Sequence, residues 1–315
     1  MVLKTKFLRL TDLKQLKKFI YNNWSKKHIF LKSDKLIKWQ HCSFGKRLDF
    51  FVSKENNKII SLLGIINQSR NSKYNEISLA IWVSKKKSAG AKLFLTLEKR
   101  FNFNLIKGTT VNENIIPMYK LLGFHVRKFN VYYLTNLSNS KQKLSKNLLP
   151  SKLFNLSKLK QIDLYDLCNK RNINFKYLEW RFNNHPIYKY NLITDEKTSL
   201  VLIYRIITIK NLKIMRVVEY IGTFKKKNNF IKKLNYFLLE NNIQYLEFFH
   251  YGFEDKYIKK SGLKKLNMNQ KIVIYTEPYK GLHYKDFYCC FKTNKRNKIK
   301  IVRADGDFDR PSVIS

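Results

Sequence analysis

From Leu48 onward, short β-rich runs alternate with amphipathic helical segments, and this order restricts the chain to a mixed α/β sheet. The run LDFFVSKENNKIISLLGIINQS reads as a hairpin. Its β-rich arms meet at Glu55, Asn56 and Asn57, residue types that suit a turn. A strand over 76–83, a helix over 90–101, a strand over 106–111, a helix over 115–121 and a last strand over 126–134 follow. Upstream, Thr11 or Asp12 is placed to cap a helix in which Leu13, Leu16, Phe19 and Ile20 recur at helical spacing. A second helix or turn surrounds Trp39.

A length of 315 residues suits two domains. The first is expected over 1–136 and a Ser-, Asn- and Lys-rich linker over 137–159, with Pro150 inside it. The second, over 160–315, repeats the order of elements. It comprises a helix over 162–170, the aromatic segment YLEWRFNNHPIYKY, a hairpin over 199–222, a helix over 229–240, a strand over 244–250, a helix over 254–260 and a strand over 271–276. A tail from Tyr279 has no counterpart in the first half and carries the sequence DGDFDRP near its end.

Lys and Arg total 63 against 22 acids, a formal charge of +41, which raises nucleic acid or an anionic membrane surface as a partner. The lysines are scattered singly, in pairs and in triplets such as Lys85–Lys87, so a dispersed solvated coat is the reading preferred here. Such a coat draws in phosphates and weakens with salt. The N-terminus has charges through its apolar residues and no cleavage site of small residues. No apolar stretch approaches the ~20 residues of a membrane helix. Cys42, Cys168, Cys289 and Cys290 form no CxxC pair, which points to reduced thiols in a cytoplasmic protein. His41 and Cys42, adjacent in sequence, make a poor metal pair, and no metal site is expected.

The segment EISLAIWVSKKKSAGAKLFLTLEKRF carries the chemistry. A strand passes through Ser and Lys into an Ala-Gly-Ala step and opens a helix, whose unpaired amides and dipole favour an anion. Here the chain resembles the GCN5-related N-acetyltransferase superfamily, whose coenzyme A loop reads Arg or Gln, two residues, Gly, any residue, then Gly or Ala. The corresponding residues are Lys87, Ser88, Ala89, Gly90, Ala91 and Lys92, with one glycine and with Lys87 as the available cation. A second match is Tyr119-x-x-x-Gly123-Phe124.

The resemblance implies two tandem acyl-CoA N-acyltransferase-like domains, with acetyl-CoA or another acyl-CoA bound by the first. It makes Tyr119 the general acid that protonates the departing thiolate, and gives an oxyanion donor among the amides of Ile81, Trp82 and Val83. Asn112 and Asn114 stand at the carboxyl end of a strand, where open α/β sheets place ligands. Glu76, Glu113 and His41 are the polar candidates for the base, Glu113 being taken as catalytic. Trp39, His41 and Glu76 are assigned to the acceptor, with Trp180 and Arg181 of the aromatic segment. In an extended strand Asp305, Asp307 and Asp309 would share one face and, with Arg310, offer hydrogen bonds to sugar hydroxyls or an amine.

The second half has TFKKKNNF where a glycine-rich loop would stand, so it is expected to be a degenerate copy without its own cofactor. The whole resembles the two-domain proteins of bacterial surface-polysaccharide loci, which implies an amino sugar or nucleotide-linked amino sugar as acceptor. Two alternatives are a peptidoglycan-bridge type transferase using aminoacyl-tRNA, which would use the positive charge, and a non-catalytic binding protein of the same fold.

Overall fold

A computed structural model describes residues 4–43, 45–68, 76–136, 152–153, 168, 173, 175–194, 200–209, 211–222, 230–260, 262–267, 274–275, 282–283, 286–294 and 299–311. The strands in chain order are β1 (Lys4–Arg9), β2 (Arg47–Glu55), β3 (Lys58–Asn67), β4 (Glu76–Ser84), β5 (Leu105–Val111), β6 (His125–Lys128), β7 (Asn130–Thr135), β8 (Lys152–Leu153) and β9 (Asn191–Thr194). They continue with β10 (Leu200–Ile209), β11 (Leu212–Gly222), β12 (Tyr245–Tyr251), β13 (Lys264–Lys265), β14 (Ile274–Tyr275), β15 (Leu282–His283), β16 (Tyr288–Thr293) and β17 (Ile301–Val302). The described helices are α1 (Leu13–Asn23), α2 (Ile29–Lys32), α3 (Asp34–His41), α4 (Ala89–Arg100), α5 (Ile116–Leu121), α6 (Phe175–Leu178, continued by a π turn), α7 (Phe230–Glu240) and α8 (Asp255–Lys260).

The chain divides into two units, and neither is one continuous half. The first contains residues 1–127, 275–297 and 305–315; the second contains 128–274 and 298–304. The expected first-domain strand over 126–134 is therefore two strands. β6 lies in the first sheet, and β7 pairs with β12 in the second. The first sheet runs β1-β2-β3-β4-β5-β16-β6, so the place beside β5 is filled from the C-terminal tail. Hydrogen bonding explains the rearrangement: an interior strand needs a partner on each edge, and β5 finds its second in β16. The expected linker over 137–159 and helix over 162–170 lie outside the described residues but for β8 and Cys168.

In the first unit β2 and β3 form the expected hairpin. Glu55 opposes Lys58 across Asn56 and Asn57, both left-handed at φ 49° and 60°, as a two-residue turn requires. α1 begins at Leu13 with Asp12 in the N-cap position, but the Asp12 side chain accepts from the Arg9 amide at 2.9 Å and closes a 3-10 turn over 10–12 instead of capping α1. α4 and α5 cover one sheet face, where Phe51, Leu63, Leu79, Leu93, Phe94 and Tyr119 belong to one buried cluster. The opposite face receives Leu16 and Ile20 of α1 and Leu36 and Ile37 of α3. His41 also lies there, its Nδ1 2.9 Å from the Ile65 carbonyl oxygen and its ring 4.2 Å from Phe50. A Cβ on Gly64 would meet Phe50 at 2.8 Å, so glycine leaves the room that ring occupies.

The second sheet runs β13-β7-β12-β11-β10-β9-β8, with β17 pairing β12. Its parallel pair, β11 and β12, is in register from Ile214↔Tyr245 to Val217↔Phe248. Beyond that point β17 pairs with His250 and Tyr251, and the Ala304 amide donates to the Val218 carbonyl at 3.1 Å. Buried Glu247 accepts from Arg216 Nε at 2.6 Å and from Arg303 at 3.1 Å, tying β11, β12 and the end of β17 together.

Two consequences are measurable. Burial pushes His28 and His250 down to about 3 from an ordinary 6.5, so both imidazoles stay neutral in the fold. The unfolded chain then binds more protons than the folded one between about pH 6.5 and about pH 3, and stability falls as pH drops through that window. Urea unfolding at about pH 7 and pH 5 should differ by up to ~1.4 kcal/mol per pH unit per histidine, and His28→Gln should flatten the slope. Truncation after Thr276 removes β16 from the interior of the first sheet, and circular dichroism melting of that fragment should lack a cooperative transition.

Candidate functional site

The site forms where two parallel strands part. β4 pairs with β5 from Glu76↔Leu105 to Leu79↔Gly108, while on its other edge it stays paired with β3 as far as Ser84. Two irregularities produce the separation. Ala80 and Ile81 of β4 both stand opposite Gly64, a bulge that leaves one residue outside the ladder. On β5, Thr110 is left-handed at φ 55°, and Thr109 and Thr110 together oppose Cys289. Each bulge bends its strand, and the pair splays. Ile81, Trp82 and Val83 lie on the freed part of β4.

α4 opens beside that part of β4. The Lys85 amide donates to the Ile60 carbonyl at 2.9 Å, and Ser88, left-handed at φ 62°, precedes the helix without a side-chain cap bond. Ala89 donates back to the carbonyls of Lys86 and Lys87, and Lys92 to that of Ser88. The amides of Gly90 and Ala91 fall in the first turn, where helix geometry supplies no intrahelical acceptor. A Cβ on Gly90 would meet Trp82 Nε1 at 2.9 Å, so this glycine lets the helix start press against the indole. Lys87 and Ser88 are exposed, and Lys86 is held by Glu55 at 2.7 Å.

Tyr119 comes from α5, which the Asn112 side chain introduces by accepting from the Asn114 amide at 3.0 Å. Its ring meets Trp82 edge-on at 5.6 Å and Phe124 at 5.2 Å, and the residue is 6% exposed. The Tyr-x-x-x-Gly-Phe spacing has a local cause. The Phe124 amide returns to the Tyr119 carbonyl at 3.0 Å through Gly123 at φ 82°, and this folds Phe124 back onto the tyrosine. Burial raises the Tyr119 hydroxyl well above its ordinary value, with charge at Cys290 and Asp307 adding to the effect. The neighbouring thiols are no nucleophiles at neutral pH, since burial pushes Cys289 up to about 12 and Cys290 higher than its usual value.

The DGDF tail lies in the first unit and is buried throughout. It is not an extended strand with three carboxylates on one face. Asp305 accepts from Lys107 Nζ at 2.8 Å, and the same ammonium lies 2.5 Å from Glu76. Gly306 turns at φ 128°, and a Cβ there would meet Thr109 Oγ1 at 2.8 Å and Ser78 Cβ at 3.6 Å. Asp307 then lies 3.3 Å from Arg310, whose guanidinium is 5.4 Å from the Phe30 ring centre. Asp309 is fully buried.

Trp82 thus meets Tyr119 and the Gly90 end of α4 just beyond the last β4–β5 pair, with Ile81 and Val83 flanking it on β4, and Lys87, Ser88, Ala89, Ala91 and Lys92 lie at the start of α4. Asn112, Glu113 and Asn114 are exposed on the turn before α5, with Asn112 acting as a cap. Two assignments change. His41 is a core residue on α3, and Trp180 and Arg181 belong to the second unit, where both are buried. Trp39 is half-buried on α3. Sequence reasoning missed Lys107, Ser78 and Thr109; a lysine inside the β-rich run LIKGTTV was the available signal, since a charge amid strand residues needs a partner. Among the described residues no group of three potential ligands could hold a metal, and no helix is long and apolar enough to cross a membrane.

No protein-family model and no curated protein sequence matches the chain. Solved structures do. A GCN5-related N-acetyltransferase from Anabaena variabilis ATCC 29413 matches at a TM-score of 0.56 and 11% identity, over 93% of this chain and 73% of that one. A conserved protein of unknown function from Enterococcus faecalis V583, described as a probable N-acyltransferase, gives the same four values. A GCN5-related N-acetyltransferase from Kribbella flavida matches at 0.51 and 8%, over 93% and 71%. At this identity the likeness shows the fold, a mixed α/β architecture of two acyltransferase-like domains.

Removing Lys107 leaves Asp305 buried without its ammonium partner, and the partly exposed Glu76 loses the same contact. Lys107→Met should therefore cost about 3–5 kcal/mol in urea unfolding at neutral pH, and less in acid, where the carboxyls protonate.

Proposed function

We propose that the chain is an N-acyltransferase that passes an acetyl or similar group from acyl-CoA to the amino group of an amino sugar or nucleotide-linked amino sugar. The observation that carries this reading is the end of β4–β5 pairing at Leu79↔Gly108, with Tyr119 buried against Trp82 beside the gap. The residues present fit an acyl-CoA. The first-turn amides of Gly90 and Ala91 and the exposed Lys87 suit a diphosphate, and the edge of β4 that no longer pairs with β5 beyond Leu79 leaves backbone groups for an extended pantetheine chain. When bound, acyl-CoA supplies an activated thioester.

The chain's own part is positioning and proton control. An amide among Ile81, Trp82 and Val83, beyond the last β4–β5 pair, is suited to face the thioester oxygen, where negative charge develops. Tyr119 keeps its proton through the neutral range because burial raises its pKa, so a protonated hydroxyl is ready for the leaving sulfur. The amino-sugar reading is supported by Asp307 of the tail, whose carboxylate suits an ammonium or hydroxyls. The second domain is read as a degenerate copy without its own cofactor, a reading supported by β17 and Ala304, which occupy the edge where β11 and β12 part. Four free cysteines favour a cytoplasmic setting.

Acetyl-CoA should raise the melting midpoint with concentration, equivalent to about 2.7 kcal/mol at 100 times Kd. Absence of any shift at millimolar acetyl-CoA would sink the reading. Tyr119→Phe should keep that shift while lowering kcat by about 10²-fold or more, measured as thiol release; equal loss of affinity and turnover would remove the acid role.

A further inference from the structure

We infer that Asp307 accepts the proton of the incoming amine, so that the acid and the base of the transfer reach the gap between β4 and β5 from opposite faces of one sheet. This rests on the acyl transfer proposed above and goes beyond it by assigning the base.

Side chains alternate along a strand, and here the alternation divides the two roles. Ile77 and Leu79 belong to the cluster that contains Tyr119. Ser78, between them, points to the other face, and Gly306 lies on it together with Thr109. Ser78 and Thr109 stand on either side of the last paired residues, Leu79 and Gly108, so the tail crosses the sheet at the point where the strands part. Asp305 is anchored on one side of Gly306 by Lys107, and Arg310 is seated by Phe30. Asp307 lies between these anchors, one residue beyond the glycine, with Arg310 3.3 Å from its carboxylate.

The hydroxyls of Ser78 and Thr109, the residues against which Gly306 packs, are buried with no hydrogen-bond partner. This polar, unsatisfied floor is what an acceptor bearing hydroxyls and an amine would complete. The other candidate bases are committed elsewhere. Glu76 is held 2.5 Å from Lys107, His41 is in the core against Phe50, and Glu113 is exposed on the turn before α5. The charge of Asp307 also reaches the Tyr119 hydroxyl.

The proton balance closes without a further reactant. The acceptor arrives as an ammonium and gives one proton to Asp307, which frees the nitrogen lone pair. The C–N bond forms, the C–S bond of the thioester breaks, and the departing sulfur takes the Tyr119 proton. The second amine proton, lost as the amide forms, restores Tyr119, and Asp307 releases its proton to solvent. The charged and titratable groups around Asp307 are Arg310 and Asp309 on the tail, Asp305 with Lys107 and Glu76, His28 before α2, and Tyr119 and Cys290 across the sheet.

The test uses the full chain, acetyl-CoA as donor, and glucosamine or water as acceptor, with thiol release followed from about pH 6 to pH 9. Asp307→Asn should keep the acetyl-CoA melting shift yet lower thiol release about 10²-fold or more near pH 7, with the deficit shrinking as pH rises and the free amine accumulates. Asp307→Glu, which retains a carboxylate, should fold and recover part of the rate; it decides the matter if the Asn variant does not fold. Asn-variant turnover within about threefold of the parent, a deficit that does not change with pH, or a Glu variant as slow as Asn would each overturn the assignment. Parent turnover with a normal Asp307→Asn variant removes the base alone. A parent chain that neither shifts with acetyl-CoA nor releases thiol above background removes both readings.

Discussion

The pairing of β16 with β5 is the interaction on which the rest depends. β5 must leave β4 at Gly108 for any opening to exist, and a strand that abandons one neighbour needs the other to hold it. β16 does so from Thr293↔Leu105 to Tyr288↔Val111, continuing past the point where β4 has gone. Its fit is close: a Cβ on Gly108 would meet Cys290 Sγ at 2.8 Å, so the glycine that ends the pairing with β4 is also the one that admits the thiol of β16. Thr293 and Lys292 add side-chain bonds to the carbonyls of Asn104 and Leu122. The left-handed backbone at Thr110, an uncommon conformation for a β-branched residue, is held in this ladder.

The two units treat the same structural event in opposite ways. Both contain a parallel pair that stays in register for four residues and then parts. In the second unit β17 pairs antiparallel with the end of β12, the Ala304 amide reaches Val218, and Arg303 and Arg216 converge on Glu247 in the interior. Buried arginines of this kind are costly to desolvate and are tolerated here because both pair with the Glu247 carboxylate; they rigidify a closed edge. In the first unit the residues that follow, Asp305 to Arg310, lie on one face of the sheet instead of extending the ladder. A short run of sequence thus closes one strand pair with backbone bonds and lines the other with side chains.

Local signals were legible and distant ones were not. The Asn56–Asn57 turn, the β4–α4 junction and the Tyr119–Phe124 fold-back are each set by residues within a few positions of one another, and the chemistry of turns and caps reports on just that range. The 126–134 run looked like one strand because its β-rich composition is continuous across Phe129; its two halves differ only in partners more than a hundred residues away, β16 and β12. The tail misled for the same reason. Alternating Asp residues suggest a strand with one acidic face, but Gly306 is held in a positive-φ turn by Thr109 and Ser78, and Lys107 is 198 positions from Asp305. Side-chain composition could flag a charge that needs a partner without saying which.

Charge explains why the tail stays where it is. In a chain of net +41, three closely spaced aspartates form the scarcest kind of surface, and burying them is costly unless cations are already in place. Lys107 meets that condition from inside a strand, and Arg310 meets it from within the tail itself. The outer ion pairs, such as the exposed Lys256–Glu254, then need contribute little, because solvent screens them. A carboxylate seated by its own arginine, over hydroxyls that lack partners, is preorganised: the cost of ordering it was met when the chain folded, and a polar acceptor would meet groups already in position. The same logic makes the lysine coat a solvent-facing feature of modest energetic weight, and the few buried charges the ones that shape the site.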